Sequence, residues 1–146
     1  MNRDADDLQP VNPETWHRPS GYSNGMLAPA AGQILFVAGQ VGWDEDERLV
    51  GAGLVNQFEQ ALENVVAVVK EAGGRPSHIG RFTVFVVDRH EYVAARSEIG
   101  EAYRRVMGRH FPAMALLEVQ ALLEPGARVE IEATAVIPAK REKRKS

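Results

Sequence analysis

The sequence predicts one α+β domain, a mixed sheet with two helices packed on one of its faces. Three observations carry this prediction. Strand-like and helix-like segments follow one another as strand, strand, helix, strand, helix, strand, strand. The segment 53–72 repeats apolar residues at three- and four-residue steps. The segment 81–87 (RFTVFVV) is apolar on both of its alternating sides, so a strand there must be covered on both faces.

Taken in order, residues 1–19 are rich in Asp, Asn and Pro, without periodicity, and read as an arm or loop that Trp16 pins to the body. Gly21 to Leu27 reads as a weak strand ending at the Pro29 turn. Gln33 to Ala38 (QILFVA) is a stronger one, bounded by Gly32 and Gly39. Trp43 to Arg48 (WDEDER) reads as an exposed turn. In the first helix Leu54, Phe58, Ala61, Leu62, Val65, Val69 and Ala72 form the apolar stripe. Gln57, Glu59, Gln60, Glu63 and Lys70 lie mostly off it. Gly73-Gly74 ends the helix and Pro76 reinforces the stop.

After the strand at 81–87, His90 to Gly108 carries a second helical stripe of Tyr92, Ala95, Ile99, Ala102, Tyr103 and Val106. Residues 113–123 fit helix or strand by periodicity. The preceding Pro112 and the Glu124-Pro125-Gly126 turn favour a strand in a hairpin with Arg128 to Ile137. Two helices naturally occupy one face of such a sheet. The opposite face also carries apolar side chains, and a symmetric partner subunit is the economical cover for it.

Composition bounds the function. The chain has 146 residues and no cysteine, which excludes disulfides, thiolate metal sites and a cysteine nucleophile, and fits a reducing cytoplasm. No apolar run approaches the roughly 18 residues a membrane span needs, and the acidic, polar N-terminus is unlike a secretory leader. The formal charge is −3, but Lys140 to Lys145 (KREKRK) holds five bases and one acid. Taking that +4 from −3 leaves −7 for the remainder. An acidic body disfavours nucleic-acid binding. The expected division is an arm at 1–19, a folded domain at 20–138 and a basic, disordered tail at 139–146. His17, His78, His90 and His110 lack metal-ligand spacing, so neither metal nor cofactor is expected.

Several stretches resemble the RidA/YjgF family of imine and enamine deaminases: GYS at 21–23, FVAGQ at 36–40, QFEQALENVVAVVKEA at 57–72, TVFVVD at 83–88, Pro112-Ala113 with Glu118-Val119, and VEIEA at 129–133. The resemblance covers roughly residues 20–137. It implies a chorismate-mutase-like fold, a homotrimer whose sheets line a central barrel, and small-molecule clefts at the subunit interfaces. It also implies site residues. Tyr22 matches a cleft tyrosine, Gly39 and Gln40 the strand end that offers backbone groups, and Glu130 a glutamate that positions or activates water. Glu118, at the same parity as Met114, is a further candidate. The family's arginine after the Pro-Ala pair, which grips the substrate carboxylate, is replaced here by Met114, an apolar wall with no donor. A family serine is replaced by Ala38, and a family asparagine aligns with Arg96, a cation that can stand in for the missing guanidinium. The expected functions are deaminase-like hydrolysis of an imine or enamine with a non-standard substrate, or alternatively non-catalytic metabolite binding. RNA cleavage, a label the family has carried, ranks last.

Overall fold

The structure is a computed structural model that describes residues 7–139; the basic run from Lys140 lies outside them. Ten-residue strand β3 (Gly32–Val41), β4 (Ile79–Val86), β5 (Ala113–Glu118) and β6 (Val129–Pro138) form a mixed sheet in the order β3-β6-β4-β5. Only the β4–β5 pair is parallel. Helices α1 (Leu54–Glu71), α2 (Arg89–Ala94) and α3 (Arg96–Met107) complete the domain. The expected α+β class, with the helices on one face, is what the chain adopts.

The core lies between α1, α3 and one face of the sheet. Ala61, Leu62, Val65 and Val69 of α1 meet Ile99 and Ala102 of α3 over Phe82, Val84 and Val86 of β4 and the alternate residues Val129 to Ile137 of β6. Gly73, at φ 88°, stops α1 in the left-handed conformation that glycine adopts without strain, and Gly74 N–H closes the turn on Val69 O at 2.9 Å. On the opposite face Ile34 and Phe36 of β3 are 64% and 78% exposed, with Thr83, Phe85 and Leu117 beside them on β4 and β5.

Four details differ from the sequence reading. The second helix is broken at Ala95, whose φ of −101° and ψ of 11° depart from helix, so α2 and α3 are separate segments. The strand after Pro112 ends at Glu118 and pairs with β4, not in a hairpin with β6. The physical reason is the helical crossover after β4, which returns the chain to run parallel to it, while β6 pairs between β3 and β4. Residues 9–11 form a strand, β1 (Gln9–Val11), antiparallel to β2 (Gly25–Leu27). Finally, Trp16 is 61% exposed, whereas Leu8 is buried and docks the segment against Gly80.

Candidate functional site

Two groups of candidate residues form in different places on the subunit. The first group lines a cleft of about 450 Å³ between the 20–21 loop, α1, the α2–α3 helices and the start of β5. Its position follows from local chemistry. Asp88 caps α2 by accepting from His90 N–H at 2.9 Å and Glu91 N–H at 3.3 Å. From there Tyr92, Arg96, Ile99, Gly100, Tyr103 and Arg104 fall on one side of the helical pair and face the cleft.

Tyr103 is the hinge of the wall. Its ring stacks on Phe111 at 5.4 Å and meets Phe82 edge-on at 6.4 Å. Its hydroxyl donates to His110 O at 2.6 Å. Burial pushes the Tyr103 phenol well above its usual range. Tyr92 is also raised by burial, with the Arg96 charge pulling the other way. The opposite rim is tied to the edge of β5: Ser23 Oγ donates to Phe111 O at 2.6 Å, Ser23 N–H to Pro112 O at 3.1 Å, and Ser23 bridges to Ala113 in parallel. Ser20 and Gly21 line the cleft, Tyr22 beside them is 42% exposed, and Met114 is half-buried in the cleft wall.

The second group lies on the exposed sheet face. Register slips in β3 between Val37 and Gln40, leaving Ala38 and Gly39 in a bulge. The Glu130 side chain occupies the space beside Gly39. A Cβ added there would sit 2.9 Å from Glu130 Cδ and 3.2 Å from Oε2. Glu130 pairs across the sheet with Val41 and with Phe85, which pairs in turn with Leu117. Its carboxylate is half-buried and makes no hydrogen bond or ion pair among the described residues.

The other candidates fall elsewhere. Gln40 donates to Ala38 O at 3.1 Å and lines a separate, acidic hollow with Trp43, Asp44 and Glu63. Glu118 Oε1 accepts from Arg89 N–H at 3.0 Å, fastening the start of α2 to the end of β5. The structure thus brings Arg96 and Met114 together beside the Tyr22 segment, and sets Ala38, Gly39 and Glu130 together elsewhere. Sequence reading missed Tyr92, Tyr103, Phe111, Gly100 and Arg104 as cleft residues. The signal was present in the four-residue spacing of Arg96, Gly100 and Arg104. Among the described residues no cluster of His, Asp or Glu is arranged to hold a metal ion, and no helix is long and apolar enough to cross a membrane.

Residues 15–137 match the family model described as Endoribonuclease L-PSP. The human protein named 2-iminobutanoate/2-iminopropanoate deaminase is 31% identical over 79% of each chain. The RutC family protein PM1466 of Pasteurella multocida is 34% identical over 84% of this chain and 94% of its own. The chain belongs to the RidA/YjgF family. Its fold agrees with solved RidA/YjgF structures. The Rid family protein YyfB of Yersinia pestis, a protein of unknown function, superposes with a TM-score of 0.79 at 33% identity, over 90% of this chain and 99% of that one. The YjgF gene product of E. coli gives a TM-score of 0.61 at 30% identity, over 79% and 87% of the two chains.

Proposed function

We propose that this RidA/YjgF protein hydrolyses the C–N bond of an imine or enamine in a cleft completed by a second copy of the chain. The observation that carries the reading is the Glu130 carboxylate. It is half-buried beside Phe85, lies against the backbone of Gly39, and has no protein partner among the described residues. A carboxylate in such surroundings is poised to accept a hydrogen bond from water. The names of the human, mouse and bovine relatives, all 2-iminobutanoate/2-iminopropanoate deaminases, support the reaction class.

In the proposed reaction Glu130 takes a proton from water as its oxygen adds to the imine carbon. The proton passes to nitrogen, the C–N bond breaks, and imine plus water yields a carbonyl compound plus ammonia. An enamine enters the same route after tautomerising to the imine. The Met114 cleft supplies the apolar wall, with Tyr22 and the 20–21 backbone at its rim.

Glu130 and Gly39 share no lining residue with the Met114 cleft, so a complete site needs one group from each of two subunits. The homotrimer that the family resemblance implies supplies this, and the exposed Ile34, Phe36 and Leu117 favour a covered sheet face. Met114 in place of a guanidinium favours a second reading, a binder without catalysis. Ammonia release from freshly generated imines decides between them. Glu130→Gln should lower it by about 100-fold or more. Release indistinguishable from buffer with the unaltered protein, across a broad imine and enamine panel, would leave only binding.

A further inference from the structure

Along α3, residues 96, 100 and 104 recur every four positions and so share one face, the face that borders the Met114 cleft. The outer two are arginines and the middle one is glycine. Glycine is the poorest residue for a helix interior apart from proline. No contact with another element requires it here, because an added Cβ would meet only Arg104 Nη1, at 3.4 Å. Its effect is to let the Arg104 guanidinium lie close over the helix backbone on the side that faces the cleft.

Neither arginine has a carboxylate partner among the described residues. The contrast with Arg105, gripped by both oxygens of Glu59, and Arg128, gripped by Glu91, is direct. No acidic side chain lines the cleft among the described residues, so its formal charge is wholly positive in a chain whose net charge is −3. Apart from Ser20 and the two glycines, the rest of the wall is apolar or aromatic.

We propose that the cleft binds a carboxylic acid with an aromatic or similarly bulky apolar body. Arg96 and Arg104 hold the carboxylate across Gly100, and the body rests on Phe111, Tyr103 and Met114. This deepens the deaminase reading and rests on it for the choice of cleft. The substrate class becomes an imine or enamine of an arylalkyl acid, gripped from the helix and not from the position of Met114.

The test is calorimetric titration of the full chain, as it assembles, with 3-phenylpropanoate and with 3-phenylpropanamide of the same shape. The acid should bind about tenfold tighter or more. Arg96→Gln with Arg104→Gln should bring the acid down to the level of the amide and leave the amide unchanged. Gly100→Met puts a better helix former where the Arg104 guanidinium now lies. It should weaken the acid by about tenfold or more without lowering the melting temperature, which separates a blocked site from a misfolded one. Equal affinity for the two probes, no binding of either, or an acid preference that survives the double substitution would overturn the proposal. The two readings fail separately. An acid preference with ammonia release insensitive to Glu130→Gln removes the deaminase and keeps the site. Glu130-dependent release without an acid preference removes this proposal alone.

Discussion

Replacing Gln57 with methionine, which matches its length but has no amide, should cost the protein a substantial part of its stability. Gln57 is fully buried in α1. Its Nε2 donates to Gly51 O at 2.7 Å and Gly126 O at 3.1 Å, and its Oε1 accepts from Arg128 N–H at 2.7 Å. One side chain thereby ties together the loop before α1, the turn before β6 and the first turn of the helix. Gln57→Met strips three backbone groups of their partners, and a buried group left so costs about 1–3 kcal/mol. Gly51 and Gly126 are exposed, so water can reach part of the vacated carbonyl surface. The lower end of the range then applies to each group, about 3 kcal/mol in all. For a domain of this size that lowers the melting temperature by about 6–12 °C. Urea denaturation at fixed protomer concentration measures it, since association otherwise shifts the midpoint. A loss under about 1 kcal/mol would refute the reasoning, because it would mean that these groups find water as readily as they found the glutamine.

Gly42→Ala probes the same junction from the other side. The new Cβ would lie 2.5 Å from both Cα and the carbonyl oxygen of Gln57, backbone that cannot swing away. A loss of about 1–3 kcal/mol or more is expected in the same denaturation assay. The Glu59–Arg105 pair, bidentate at 2.9 and 2.8 Å, holds the Glu59 carboxyl below its usual value of 4.5. A depressed carboxylate stabilises the fold above its unfolded pKa and loses that contribution as pH falls. Glu59→Gln should therefore lower the melting temperature slightly at pH 7, and the difference should shrink as pH drops below 4.5. Phe36→Asp places a charge on the exposed sheet face. If the wild-type chain associates through this face, the variant should sediment as a smaller species than the wild type, and unchanged sedimentation would count against association through that face.

Part of the candidate cleft could be named from the sequence, because some of its residues sit in short, ordered stretches. Glu130 was singled out on the VEIEA run, and its side chain lies beside Gly39. Arg96 and Met114, eighteen positions apart, were both singled out and do share a cleft. Glu118 was read for chemistry, but its carboxylate accepts from the Arg89 backbone. No local pattern distinguishes a ligand carboxylate from one that meets a backbone N–H 29 residues away.

The sequence by itself determined the first helix, the strands at β3, β4 and β6, the apolar faces of α1, β4 and β6, and the glycine stop at 73–74, because side-chain periodicity and backbone freedom are properties of a few neighbouring residues. Tertiary structure alone decided that β6 lies between β3 and β4, since strand partners are set by the crossover and not by any strand's own composition. It alone decided that Gln57 is interior. A polar side chain on a helix reads as outward-facing until the chain brings in partners six, 69 and 71 residues away that satisfy it.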